Sequence, residues 1–394
     1  MEKGYKILGN YIRLVDERNK DLSVTKLLGV SISKKFIPSI ANIVGTDLSN
    51  YKIVRTGQFA YGPVTSRNGE KISIAYLDEE DCIISSSYTV FEVENKEELD
   101  PEYLMLWFSR PEFDRYARYK SHGSVREIFD WNELCMVELP VPDIEKQRKI
   151  VKAYKTITDR IALKQKINDN LVACIDTIFN EQFGNFKALA ESSTANTDFS
   201  SLPDGWTIEN AVHSFDISIG KTPPRSEPEW FTSNQTDNVW ISIADMKTNS
   251  PFIFKSAEYL TNEAVKKHNV KIVPANSVLL SFKMTVGRVA IVTNEVTTNE
   301  AIAHFPCTKE NLFFVYCYLK NFNYGYLGST SSITTAINSK IIKEMPFLMP
   351  SKKELYLFNH KVSGLFEQLK YISKELDILE ELSKMLLPQL LGHC

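Results

Sequence analysis

The sequence predicts an α+β protein: two similar mixed α/β domains separated by two long helices that form an antiparallel coiled coil, an internal repeat with pseudo-twofold symmetry. Three observations predict it. Leu139-Pro140-Val141-Pro142 leads into one helical pattern, and Phe347-Leu348-Met349-Pro350, 208 positions on, leads into another, so a whole module recurs. Each of these patterns carries apolar side chains at alternating spacings of three and four, the signature of an amphipathic helix. Ahead of each lie short alternating segments broken by Gly, Asn and Pro, the pattern of curved sheets flanked by helices.

The first domain takes residues 1–142, with strands expected over 71–76 and within 82–93 and an aromatic-rich helix over 100–118. The first spacer helix takes 143–183, a linker 184–202, the second domain 203–350 and the second spacer helix 351–391. In the second domain 276–281 and 286–293 read as strands and 312–321 as a helix. The repeat holds without a gap behind the second prolines: Ser124, Ile128, Asp130 and Leu134 fall against Ser332, Ala336, Asn338 and Ile342. Further upstream Lys52-Ile53-Val54 has its echo in Lys271-Ile272-Val273.

The second helix has the more regular seam: Leu355, Phe358, Val362, Leu365, Leu369, Ile372, Leu376, Leu379, Leu386 and Leu390, with only Ser383 breaking it. Ser351 is its expected N-cap, with Glu354 completing a capping box. The first helix starts from Asp143 and runs through Ile150, Tyr154, Ile157, Ile161, Leu171, Ile175 and Ile178. Lys164 and Asn168 sit inside that seam, where polar residues fix register at some cost in stability. At about 40 residues each helix is roughly 60 Å long. Two apolar stripes in the chain order domain, helix, domain, helix pair antiparallel if the halves are related by a twofold; the alternative is that each helix packs on its own domain. The Ser/Thr/Asn/Ala-rich stretch 188–201 reads as a connector.

Composition is that of an ordinary globular protein, 43% hydrophobic and 24% charged. A net charge of -3 does not advertise a polyanion binder, although where the cations lie decides that. Cys82, Cys135, Cys174, Cys307, Cys317 and Cys394 are scattered and read as reduced thiols. No apolar leader or run of membrane-spanning length is present, which places the chain in the cytoplasm. Gly220-Lys221-Thr222 resembles the tail of a phosphate loop, but Phe215 stands where its first glycine belongs, and Pro223-Pro224 would break the helix that must follow. Asp245-Met246-Lys247 is an acid-x-Lys triplet of a kind that arises by chance. His122, His213, His268, His304, His360 and His393 stand apart from any nucleophile or carboxylate at catalytic spacing. Nothing reads as an active site.

One ordered set of short motifs remains. In the second half it comprises Leu202-Pro203-Asp204-Gly205-Trp206, Gly220-Lys221-Thr222-Pro223, Trp230, Trp240-Ile241-Ser242-Ile243-Ala244-Asp245, Tyr259-Leu260-Thr261, 273–281, Val286-Gly287-Arg288 and Asn299-Glu300-Ala301. In the first half it comprises Gly57-Gln58-Phe59-Ala60-Tyr61, Arg67-Asn68-Gly69, Gly123-Ser124-Val125-Arg126 and Leu139-Pro140-Val141-Pro142, without the Gly-Trp opening. In this order, over essentially the whole chain, they resemble the DNA-specificity subunit of type I restriction-modification systems. The resemblance implies a non-catalytic subunit that binds double-stranded DNA, each target-recognition domain reading one half of a bipartite sequence and the helices setting the unread gap. It also implies two adenine-methylating modification subunits docked along the helices, joined by restriction subunits where present. S-adenosylmethionine and ATP would belong to those partners; the chain itself needs no cofactor and no metal.

Under that resemblance the candidate DNA contacts are loop cations and amides: Arg55, Arg67, Asn68, Lys71, Lys120 and Arg126 in the first domain, and Lys221, Arg225, Lys247, Lys283, Arg288 and Lys340 in the second. Arg126 is partly offset by Glu127 and Arg225 by Glu227. Arg115-Tyr116-Ala117-Arg118-Tyr119 reads as a helix packing face rather than a base-stacking platform. The alternative function is a non-catalytic two-module protein-interaction scaffold on a coiled coil, which needs no basic surface and has no salt-dependent affinity for DNA.

Overall fold

The chain divides into two units, Met1–Arg160 with Glu380–Cys394, and Ile161–Leu379. Residues 5–39, 45–66, 68–123, 126–192, 199–247, 250–327 and 337–391 are described by the computed structural model.

In the first unit the two-residue period of a strand explains the layers. Strands β1 (Tyr5–Ile7), β2 (Ile12–Val15), β3 (Phe59–Tyr61), β4 (Ile74–Tyr76) and β5 (Thr89–Val93) include an antiparallel sheet in the order β2-β5-β3-β4, with Phe59 opposite Phe91 and Ala60 opposite Val90. Phe59, Tyr61, Phe91 and Val93 share one face and bury against helices α1 (Pro101–Phe108) and α2 (Pro111–Tyr119). Ala60, Ala75 and Val90 share the other, against Leu28, Val54, Cys82 and Ile84. With both faces covered, the strands read as continuous apolar runs. The strand expected over 71–76 shortens to β4. The helix expected over 100–118 breaks at Pro111, which has no N–H to give and starts a new helix instead. The unit closes with α3 (Trp131–Cys135) and β6 (Glu138–Pro140), the latter antiparallel to β1. From there the chain enters α4 (Ile144–Glu191).

The second unit repeats this plan. Its strands are β7 (Thr207–Asn210), β8 (Ser218–Ile219), β9 (Phe231–Thr232), β10 (Asn238–Ile241), β11 (Phe252–Ile253), β12 (Glu258–Leu260), β13 (Ser277–Ser281), β14 (Val289–Val292), β15 (Thr297–Thr298) and β16 (Ile302–Pro306). The order β8-β16-β13-β14 matches β2-β5-β3-β4, antiparallel throughout, and β11 adds a parallel edge. A second sheet, β9-β12-β10-β15, joins Trp240 to Thr297 in parallel, as a parallel bridge joins Leu27 to Ile83 in the first unit, between the antiparallel pairs Leu28–Val30 with Phe36–Pro38 and Lys52–Val54 with Cys82–Ile84. Helix α5 (Leu312–Asn321) covers Val278, Leu280 and Phe305, as α1 covers the equivalent face. Helix α6 (Ser339–Glu344) then leads to β17 (Pro346–Met349), antiparallel to β7. Even single bonds recur. Asp130 caps α3 and Asn338 caps α6. Tyr103 donates its hydroxyl to the Pro140 carbonyl at 3.0 Å, and Tyr318 donates to that of Pro346 at 2.9 Å.

The last helix, α7 (Lys352–Leu391), runs antiparallel to α4 within each unit. In the second unit Lys164 pairs with Glu375 at 2.8 Å, Lys361 donates to Gln182 at 3.2 Å, and Gln182 donates to Glu354 at 3.1 Å. In the first unit Ser383 bonds the Tyr154 hydroxyl at 3.2 Å, and Ile150 and Val151 share a core with Leu387 and Leu391. Among the expected seam residues Ile150, Ile175, Leu355, Phe358, Val362, Leu369, Ile372 and Leu379 are buried, while Tyr154, Ile157, Ile161, Leu171, Ile178, Leu365, Leu376 and Leu386 are half-buried. Phe179, Phe183, Phe366, Leu387 and Leu391 fill the rest of the contact. A helix of 3.6 residues per turn drifts off a strict 3.5 period, and here the widened stripe meets both the partner helix and the module beside it.

Three boundary expectations need correction. The first helix does not stop at 183, and residues 184–191 of the expected linker are helical. Ala190 is buried and Glu191 accepts the Asn323 N–H at 2.6 Å, so tertiary contacts hold the last turns; residues 193–198 lie outside the described residues. The capping box is half formed: Ser351 accepts the Glu354 N–H at 3.4 Å, but the Glu354 carboxylate turns to Gln182. Asp143 caps α4 as expected, accepting from Lys146 N–H at 2.9 Å. Among the described residues no helix is long and apolar enough to cross a membrane.

Candidate nucleic-acid interface

Three segments that are distant in sequence meet in the second unit. Gly220 donates its N–H to Ile302 (3.1 Å) and Lys221 donates to Thr298 (2.9 Å), which brings the 220–225 loop onto the loop at 299–300. A Cβ at Gly220 would lie 2.1 Å from the Asn299 carbonyl, so glycine is what permits the approach. The Thr222 hydroxyl bonds the Glu300 carboxylate, and Phe282 N–H donates to Ala301 at 2.9 Å, which adds the 282–288 loop. Gly220-Lys221-Thr222, Val286-Gly287-Arg288 and Asn299-Glu300-Ala301 are therefore one place, and no α-helix directly follows the first of them. Burial alone would raise the Glu300 pKa; the Thr222 bond and the cations of Lys283 and Arg225 together hold it below the usual range.

His304 lies wholly buried on β16 beneath these loops, bonded to Ser218 through Nδ1 (2.9 Å) and to Thr298 through Nε2 (2.7 Å). Burial lowers its pKa to about 4. The unfolded chain, with an ordinary histidine near 6.5, binds a proton between those values that the native state refuses, so stability falls on acidification. Lowering the pH from 7 to 5 should cost the second unit about 2 kcal/mol in denaturant unfolding beyond the loss shown by a His304→Gln variant. Equal pH dependence of the two would refute this.

The nominated contacts separate by their partners. Arg55 lies between Glu17 and Asp81 (2.8 Å to the latter), and these hydrogen bonds raise its pKa; a phosphate would have to displace two carboxylates. Arg225 grips Glu258 through both terminal nitrogens (2.7 and 2.8 Å), with its guanidinium over Phe231 and Trp240. Glu227, expected to offset it, accepts instead from the Trp230 indole at 2.7 Å. Arg288 donates to the Ile243 carbonyl at 2.7 Å and ties down the turn at Asp245-Met246-Lys247, whose Asp245 accepts from Ser242 and Ala257 N–H groups. Lys120 pairs with Glu133 (3.3 Å) and Lys340 loosely with Glu344 (3.8 Å). Asn68 is half-buried in a turn, its amide 3.4 Å from the Val64 carbonyl. Glu127 pairs with Arg118, not with Arg126. Lys71, Arg126, Lys221, Lys247 and Lys283 are exposed, with no carboxylate partner among the described residues. Arg67 lies outside the described residues. In the Arg115–Tyr119 segment Tyr116 packs against Phe129 and Ala117 is buried, whereas Tyr119 is exposed. Among the described residues no cluster of His, Cys, Asp and Glu is arranged to hold a metal ion.

Residues 33–173 and 214–384 each match the family described as the type I restriction modification DNA specificity domain. The chain belongs to this family. It is 23% identical to the HindI specificity subunit of Haemophilus influenzae, covering 92% of each chain, and 23% identical to the MjaIX specificity subunit of Methanocaldococcus jannaschii, covering 73% of this chain and 68% of that one. Its fold is similar to the crystal structure of a type I restriction-modification S subunit from M. genitalium, with a TM-score of 0.58 at 14% identity over 99% of this chain and 96% of that one. The two family matches fall one in each half, as the two specificity modules do. One exposed residue of this specificity chain was not nominated from sequence. Met284, beside Lys283, is 99% exposed with a φ of 58°, and neither property is legible in a methionine's neighbours along the chain.

Proposed function

We propose that the chain is the DNA-reading subunit of a type I restriction-modification enzyme, non-catalytic in itself and resident in the cytoplasm. Each module reads one half of a bipartite target in double-stranded DNA, and α4 and α7, which both run from one unit into the other, set the length left unread between the halves. The single observation that carries this reading is the duplication: two sheets of the same strand order, each tied to both antiparallel helices, give one chain two different readers. Lys71 and Arg126 in one unit, and Lys221, Lys247 and Lys283 in the other, exposed and without a carboxylate partner among the described residues, suit phosphate contacts that position a reader while base edges specify.

The partners would be two adenine-methylating modification subunits, with restriction subunits where present; S-adenosylmethionine and ATP would be bound by those partners. A docking face for them is supported by a second row on α7, outside the buried seam. Leu357, Tyr371 and Ile378 recur at heptad spacing and are 41, 69 and 65% exposed, and Gly364 between them leaves open space. Reconstitution with a modification subunit should give a stable complex whose methylated adenines, read by single-molecule sequencing, lie in one bipartite motif. Tyr371→Glu with Ile378→Glu should abolish co-purification without lowering the melting temperature by more than a few degrees. Methylation without a motif, or no salt-dependent DNA affinity, would overturn the reading in favour of a protein-binding scaffold.

A further inference from the structure

The loop between β13 and β14 is the counterpart of the 62–73 loop between β3 and β4, because the two strand pairs hold the same place in the two sheets. In the second unit this loop is short and pinned. Ser281 and Arg288 bond backbone to backbone at 2.9 Å, Gly287 N–H donates to the Ser281 carbonyl at 2.9 Å, and the Ser281 hydroxyl accepts from Arg288 N–H (3.1 Å) while donating to the Thr285 carbonyl (2.5 Å). At the tip Thr285 N–H donates to the Lys283 carbonyl at 2.6 Å, a three-residue turn centred on Met284 in its rare, strained sense, with φ at 58°. The turn holds an apolar side chain 99% exposed to water. Backbone strain opposes folding and a side chain left in water contributes nothing to it, so neither is explained by stability. Around the tip the exposed Lys283 and Lys221 suit a polyanion.

We propose that Met284 is a specificity-determining residue of the second module, its flexible thioether lying against the apolar part of a base pair (the thymine methyl in the major groove) while Lys283 and Lys221 rest on phosphates. This rests on the DNA-reading function proposed above. Methionine suits the task because an unbranched, polarizable chain fits a base edge closely, and a left-handed turn aims it away from the sheet.

The test uses the full complex with its modification subunit, comparing wild type with Met284→Ala and Met284→Gly. Wild type reports on the DNA-reading function itself: a motif must be present before any variant is judged. Both variants should then relax one base pair of one half-site, with discrimination there falling about tenfold or more, and leave the other half-site unchanged. Met284→Gly should melt at the wild-type temperature or above it, since glycine accepts a positive φ without strain. An unchanged motif in both variants overturns the proposal. So does equal loss at both half-sites, or loss of co-purification with the motif intact, which would make Met284 a protein contact.

Discussion

Leu369→Lys should unfold the second unit and end assembly with any partner that needs the paired helices. Leu369 is fully buried and shares a core with Phe179, Phe358, Val362 and Phe366. Removing a buried leucine costs about 3–5 kcal/mol, and burying an unpaired ammonium adds several more. Together these approach the whole stability of a typical domain, about 5–15 kcal/mol. Leu376→Lys should be much milder, because Leu376 is half-buried and a lysine there can carry its charge to water. Circular dichroism melts of the two variants would separate these outcomes. Comparable melting temperatures for both would contradict a core at Leu369.

Exchange of residues 203–350 for another family member's second module should change one half of the DNA target and leave the other half intact. The cut is favourable because the module opens and closes through neighbouring strands, Thr207 opposite Met349 and Asn210 opposite Pro346. Its cost lies in the aromatic junction with α4. Trp206 packs 5.6 Å from Phe183 and 4.7 Å from Phe186, and Phe314 lies 5.0 Å from Phe183. A donor module lacking residues of that size should lose about 3–5 kcal/mol. With them retained, sequencing of methylated adenines should show one new half-site and one old one. Change in both halves would mean that the modules do not read independently.

Much of this architecture was legible because it rests on short-range periodicity. Alternation along a strand and the three-four spacing along a helix are local, and the duplication showed them twice. Phe59-Ala60-Tyr61 reads as a buried strand, and Leu355 to Leu379 as a seam, without knowledge of anything distant. The electrostatics were not legible for the opposite reason. Arg225 sits two positions from Glu227 yet takes Glu258, and Arg55 takes Glu17 and Asp81, partners delivered only by sheet topology. The helix end was misjudged because residues 188–201 read together as a Ser/Thr/Asn/Ala-rich connector, whereas Lys187-Ala188-Leu189-Ala190-Glu191 are good helix formers and buried Ala190 and the bond from Asn323 to Glu191 hold them. The candidate site divides in the same way. Cations could be nominated from sequence, but which of them remain unpaired depends on the fold.

The amide of Asn168 is buried in α4, and its oxygen has no hydrogen-bond partner among the described residues. An unmet acceptor of that kind costs about 1–3 kcal/mol. Two helices with the same heptad period have several alignments of nearly equal merit, each sliding one past the other by about a turn or two. A leucine at 168 would remove that cost, whereas an asparagine disfavours every alignment that buries its amide without a partner. If the helices set the gap between half-sites, as proposed, an error of one heptad is roughly 10 Å, or about three base pairs, so the alignment of the pair matters more to its task than the last increment of stability.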